Sequence, residues 1–205
     1  MLAEIPRLLT PRLLLTLPTA DEAGPVTAYF QRNQAHLGPW DPPRPEGFLT
    51  REFWRVTLEA NRMDFQLGRS MRLFLLLKDG PVVGTANFTN LTRGPLQACN
   101  LGYGLDHAHQ GEGLMTEALR RALRFCFEDL ALHRVEANYM PTNVRSAAVL
   151  RRLGFEVEGY SRDYLFIAGA WQDHIRTALR NPEPVDPYGS ASEPPPRTTS
   201  SGEPR

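Results

Sequence analysis

Apolar positions along this chain follow two periods, and each change of period marks a new element. Between Met115 and Leu130 they recur at Met115, Ala118, Leu119, Ala122, Leu123, Cys126 and Leu130. That spacing puts one stripe of an α-helix into a core. Just upstream, in Cys99–Leu105, the residues Leu101, Tyr103 and Leu105 alternate with Asn100, Gly102 and Gly104. This is a strand, and glycines inside a strand suggest a bulge or something lying close to the backbone. A first strand is expected at 12–17. A helix follows from Thr19, with Glu22 completing a capping box and Val26, Tyr29 and Phe30 on its apolar side. The Gly-, Pro- and Trp-containing stretch 31–43 reads as an ordered loop. A second helix, about 50–67, carries Phe53, Trp54, Val56 and Leu58 among its apolar residues. A hairpin of 72–77 with 82–88 turns at Lys78-Asp79-Gly80-Pro81. In 133–139, Val135, Ala137 and Tyr139 share one strand face, and Glu136 and Asn138 share the other. A short helix starts after Asn143 as N-cap and stops at Gly154. Strands at 163–167 and 171–179 close the domain.

The junction at 109–119, His-Gln-Gly-Glu-Gly-Leu-Met-Thr-Glu-Ala-Leu, is where strand turns into helix. A helix start offers unpaired N–H groups and a positive dipole end, and glycine lets a ligand approach that backbone. The physical reading is a cradle for phosphate or pyrophosphate. The alternative is a Gly-rich turn with no ligand. Neither Gly-Lys-Ser/Thr after a four-residue gap nor Gly-x-Gly-x-x-Gly is present, so the P-loop and the dinucleotide fingerprint are excluded.

Composition narrows the class. A chain of 205 residues can bury one sizeable core. Its formal net charge of zero gives no reason to expect nucleic-acid or membrane-surface binding. No apolar run is long enough to span a bilayer, and the first ten residues lack a signal-peptide profile. Cys99 and Cys126 form neither a disulfide framework nor a metal-ligand spacing, which fits a reducing cytoplasm and no metal. From Asn181 the chain is rich in Pro, Ser, Thr, Gly and Glu. The expectation is one domain over 1–180 and a disordered tail over 181–205.

Several stretches in order resemble one family. Gln110-x-x-Gly113-x-Met115 resembles the Gln/Arg-x-x-Gly-x-Gly/Ala signature of the GCN5-related N-acetyltransferases (GNAT), with Met115 in place of Gly or Ala. Thr10-Pro11-Arg12-Leu13, the loop Asn33-x-x-His36-Leu37-x-Pro39-Trp40-Asp41-Pro42, and Gln110-Gly111-Glu112-Gly113-Leu114-Met115-x-Glu117-Ala118-Leu119 are similar to the RimJ branch of the RimJ/RimL family. So are His133-Arg134-x-x-Ala137-Asn138-Tyr139-Met140-Pro141-x-Asn143-x-Arg145-Ser146 and Leu153-Gly154-Phe155-x-x-Glu158-Gly159-Tyr160. The resemblance implies an α/β acyl-CoA N-acyltransferase fold, a mixed twisted sheet flanked by helices. It also implies acetyl-CoA as cosubstrate and, as acceptor, the α-amino group of a protein N-terminus, an Ala- or Ser-starting ribosomal protein of the small subunit. A small-amine acetyltransferase, or an acetyl-CoA-binding ribosome assembly factor, is the alternative.

Acetyl transfer needs a neutral amine, a positioned thioester, an oxyanion partner and a proton for the thiolate. Leu105, at the strand end, is placed to meet the thioester carbonyl. Gln110, Gly111, Glu112, Gly113, Leu114 and Met115 would hold the pyrophosphate. Asn143 is either a contact to the CoA arm, a plain N-cap, or both. Many relatives carry a tyrosine acid where this chain has Leu150, and Ser146 resembles the substitute. Glu136 is the first candidate for base, against a reading as an ion-paired strand carboxylate with Arg134 or Arg145. His107 and His109 are weaker candidates. Trp40, Asn87, Tyr103, Asn138 and Tyr139 would wall an acceptor groove, or pack in the core. Direct transfer in a ternary complex is expected.

Overall fold

The structure is a computed structural model that describes residues 4–78, 80–183 and 186–188. Most of the expected tail, 184–185 and 189–205, lies outside the described residues, as does Asp79 of the hairpin turn.

Eight strands form one sheet in the order β1-β2-β3-β4-β5-β6-β8-β7. In sequence they are β1 (Leu8–Leu9), β2 (Leu13–Thr16), β3 (Met71–Leu77), β4 (Val82–Thr92), β5 (Ala98–Leu105), β6 (Arg134–Tyr139), β7 (Glu156–Ile167) and β8 (Ala170–Arg180). Helices α1 (Ala23–Arg32), α2 (Gln34–Leu37) and α3 (Arg51–Gln66) join β2 to β3, α4 (Leu114–Glu128) joins β5 to β6, and α5 (Val144–Arg152) joins β6 to β7. All neighbours pair antiparallel except β5 and β6. A parallel pair needs a crossover, and α4 supplies it.

Both sheet faces are covered. The α4 stripe buries Met115, Ala118, Leu119, Ala122, Leu123 and Cys126 in a core shared with Leu73, Leu75, Phe88, Leu101, Val135, Ala137 and Leu150. A fully buried leucine such as Leu119 contributes about 1.5–3 kcal/mol. Across the sheet, Val26, Tyr29 and Phe30 of α1 and Trp54 and Leu58 of α3 pack on Phe74 and Val82. The Phe30 and Trp54 rings stack at 4.6 Å.

Local signals account for most boundaries. Thr50 caps α3 by accepting from the Phe53 amide. Gly154 ends α5 with φ +87°. The Glu22 carboxylate accepts from the Thr19 amide at 2.8 Å, the reciprocal half of the expected box, although the turn it opens is a 3-10 turn that leads into α1. Two expectations are corrected, for the loop 31–43 and for the start of β7. The loop 31–43 contains the one-turn helix α2, formed because Leu37 reaches the apolar cluster before Gly38 and Pro39 stop it. Val56 is exposed, because the buried stripe of α3 runs through Trp54, Leu58 and Phe65 instead. β7 begins at Glu156, well before 163. It is an edge strand with nearly every residue exposed, so no apolar alternation announces its first half.

Candidate active site

The Gly-rich junction has the geometry of an anion cradle. Gly111 and Gly113 have φ of +86° and +78°, a region L side chains rarely adopt. The first helical bond of α4 runs from the Glu117 amide to the Gly113 carbonyl at 3.0 Å. The amides from Gly111 to Thr116 have no acceptor among the described residues. Met115, which departs from the motif, is buried in the core, so its side chain leaves the loop free.

Two bridges hold the loop. The Arg12 guanidinium donates to the Glu117 carboxylate at 2.7 Å and to the Glu112 carbonyl at 3.0 Å, while the Arg12 amide donates to Glu117 at 3.0 Å. Burial alone would raise the Glu117 carboxyl, but bonds from Thr10 and Arg12 hold it below its ordinary value. On the other side, the Gln110 side-chain amide donates to His36 Nε2 at 2.7 Å, and its carbonyl accepts from Arg145. Burial, then the neighbouring His107 and Arg145, lower the His36 pKa, which suits an imidazole that accepts this bond. Upstream, the Asp106 carboxylate accepts from the Ala108 amide at 3.0 Å and from Arg32 at 2.5 Å. His107 lies 5.1 Å from His36 ring to ring, and His109 approaches Glu112 at 4.0 Å. Both histidines pack the loop.

The sheet opens next to the cradle. β5 and β6 pair only at Ala98–Arg134, Cys99–Val135 and Asn100–Glu136. Beyond Asn100, β5 stays bonded to β4 but leaves β6, so alternate backbone groups from Leu101 to Leu105 face an open wedge. A cleft of about 2140 Å³ runs through this wedge, lined by Gly111, Gly113 and Ser146 at one end and by Asn87, Gly102 and Asn138 at the other.

The cleft therefore has two sides. On the α4/α5 side, Asn143 caps α5 by accepting from the Ser146 amide at 3.0 Å. The Ser146 Oγ lies 2.8 Å from the Tyr103 hydroxyl, which also approaches the Ser146 carbonyl at 3.2 Å. Burial chiefly pushes the Tyr103 phenol up to about 12, so it keeps its proton. Leu150, one turn on, is buried in the core and offers no proton. Tyr139 also packs on this side, against the core. On the opposite side, cross-strand register sets Asn87 opposite Gly102 and Asn138 opposite Arg176. Trp40 lines the cleft from the loop after α2. Asn138 Nδ2 donates to the Tyr164 hydroxyl at 3.1 Å, and its buried Oδ1 has no partner among the described residues. The five expected groove residues are thus split: Trp40, Asn87 and Asn138 on one face, Tyr103 and Tyr139 on the other. Glu136 shares the groove face, where Arg134 reaches it at 3.1 Å and Arg176 at 3.7 Å. Arg145, the other partner considered, goes to Gln110.

Sequence reasoning did not single out Arg12, His36 or Arg145 as supports of the loop. Their partners are 74 to 105 positions away for Arg12 and His36 and 35 for Arg145, and nothing local reveals those pairings.

The chain is similar to several known proteins. The family model described as an acetyltransferase (GNAT) domain matches residues 12–156. The [ribosomal protein uS5]-alanine N-acetyltransferase of Escherichia coli is 41% identical over 178 residues, covering 86% of this chain and 92% of that protein. The ribosomal-protein-S5-alanine acetyltransferase of Vibrio fischeri superposes with a TM-score of 0.83 at 35% identity, over 87% of this chain and 98% of that one. RimJ of Mycobacterium smegmatis, in complex with CoA-disulfide, does so at 0.79 and 31%, over 86% of each chain. With the Gly-rich cradle, the wedge between β5 and β6 and these likenesses together, the chain belongs to the GNAT acetyltransferase family and uses acetyl-CoA as its cosubstrate.

Proposed function

We propose that the protein transfers acetyl from acetyl-CoA to the α-amino group of a protein N-terminus, an Ala- or Ser-starting ribosomal protein, by direct transfer in a ternary complex. The carrying observation is the cleft that passes through the sheet. It lets a thioester arm enter from the cradle and an amine from the Asn87/Asn138 face, so the two meet at the wedge without a covalent enzyme intermediate. The acceptor class is supported by relatives named for alanine N-acetylation of ribosomal protein S5.

Each step has a residue. Amides from Gly111 to Met115 receive the pyrophosphate. The backbone at Gly104–Leu105 meets the thioester carbonyl and, as charge develops, its oxyanion. A free α-amine has an ordinary pKa of about 7.7–8.0, so about a tenth or more is neutral at pH 7 and little general-base help is needed. The unpartnered Asn138 Oδ1 accepts from the amine. The proton leaves through cleft water toward Glu136, whose Oε1 is held by Arg134 and whose Oε2 has, among the described residues, the loose 3.7 Å contact with Arg176. When the tetrahedral intermediate collapses, the Ser146 hydroxyl protonates the departing thiolate and regains a proton from cleft water, which carries the one the amine released, while Tyr103 keeps its own proton and steadies the Ser146 oxygen across their 2.8 Å contact. Cys99 and Cys126 are both buried and take no part.

Free-thiol release from acetyl-CoA tests the acceptor. Peptides beginning with Ala, Ser, Met or Asp would run beside polyamine and aminoglycoside controls. Release with Ala- and Ser-starting peptides is expected. Release with small amines alone would overturn the reading, and binding of acetyl-CoA without turnover of any acceptor would favour an assembly role.

A further inference from the structure

The acceptor side of the cleft carries one feature that the transfer chemistry leaves unused. Register places a single row across this sheet face: Arg72 opposite Asn87, Asn87 opposite Gly102, then, across the wedge, Asn138 opposite Arg176. At one end of the row, Arg176 faces Glu136. At the other, Arg72 is half-buried, lines the cleft, and has no carboxylate at ion-pair distance among the described residues. The acid of the neighbouring helix face, Asp64, is bound to Arg69 at 3.6 Å instead. A cation partly withdrawn from water, with no protein anion to meet it, is matched by an anion that arrives with the ligand.

Reach says where that anion sits. Adjacent strands are about 4.8 Å apart, so Arg72 lies two spacings, about 10 Å, from Gly102 at the wedge. An extended chain advances about 3.3 Å per residue, so a peptide whose amine is at the wedge brings its third or fourth residue to Arg72. Gly102 keeps the path clear: a Cβ there would meet nothing within 4 Å. We propose that Arg72 forms a subsite for an acidic side chain at about position 3 or 4 of the acceptor chain. This rests on the N-terminal acetyltransferase reading and adds a sequence preference beyond the first residue. The same charge works against polycationic amines.

The test is kcat/KM for Ala-starting peptides carrying Glu, Gln or Lys in turn at positions 2 to 5, with wild type, Arg72→Met and Arg72→Glu. Arg72→Met keeps the apolar stem, and an unchanged acetyl-CoA Kd verifies that each variant is folded. The expected result is a preference of about tenfold for Glu over Gln at position 3 or 4. It weakens with added salt, disappears in Arg72→Met and turns toward Lys in Arg72→Glu. Indifference of the wild type to charge at every position, or a Glu preference that survives in Arg72→Met, would overturn the subsite while leaving N-terminal acetylation standing. Failure of every peptide to gain an acetyl group on its α-amine would overturn both.

Discussion

Removing the Arg12 guanidinium should weaken acetyl-CoA binding far more than it weakens the fold. Arg12→Met loses the side-chain bonds to Glu117 and to the Glu112 carbonyl, keeps the backbone amide bond to Glu117 and roughly keeps the length of the side chain. The Arg12 side chain is 46% exposed, so its ion pair contributes only about 0–1 kcal/mol to stability. The loop is another matter. Gly111 and Gly113 sit at positive φ with no side chains to hold them, and Arg12 is the bridge that fixes the Glu112 carbonyl between them. If Gly111, Glu112 and Gly113 are released, binding must order them again at about 1 kcal/mol per residue. A loss of about 1–3 kcal/mol corresponds to about 5- to 150-fold in acetyl-CoA Kd. Calorimetric titration gives that Kd, and urea unfolding gives the stability change. Glu117→Gln should reproduce part of the loss, and the double variant should fall short of the sum. An acetyl-CoA Kd within twofold of wild type, with stability reduced, would refute the cradle argument.

Other consequences follow from the same geometry. Ser146→Ala should lower kcat about 10- to 100-fold with acetyl-CoA Kd nearly unchanged, and Tyr103→Phe should do so more weakly; steady-state kinetics on an Ala-starting peptide checks both. Gly102→Val should fold normally, since a Cβ there meets nothing, yet raise KM for the peptide severalfold and leave acetyl-CoA binding alone. Burial alone would raise the Asp106 carboxyl, but Arg32, the Ala108 amide and Asn33 together hold it below its ordinary value, and Glu117 is lowered in the same way. Carboxyls depressed in the folded state stabilise fully above the ordinary carboxylate range and lose that contribution as pH falls through their lower folded values. Urea unfolding should therefore show stability falling steeply below about pH 4, with a shallower fall in Asp106→Asn.

The parts of this molecule legible in the sequence are those with a local period or a local cap. The α4 stripe, the 3.0 Å cap from Asn143, the Gly154 stop and the hairpin of β3 with β4 all rest on residues a few positions apart. The first half of β7 was not legible, because an exposed edge strand buries neither face and leaves no alternation. Nor was the short helix α2, whose one turn is held by tertiary burial of Leu37. At the site, the motif identified the cradle, but the faces of Tyr103 and Asn138 depend on how β5 and β6 diverge after Asn100. Alternation puts Glu136 and Asn138 on one face and says nothing of Arg176, which meets Glu136 only through the pairing of β6 with β8.

The most direct test of the central claim is where the acetyl group lands. An Ala-starting peptide with an internal lysine would be incubated with enzyme and acetyl-CoA and sequenced by tandem mass spectrometry, beside the same peptide with a blocked N-terminus. The account predicts one acetyl group on the α-nitrogen, an unmodified lysine and no turnover of the blocked peptide. Acetylation of the lysine, or turnover of the blocked peptide, would contradict it.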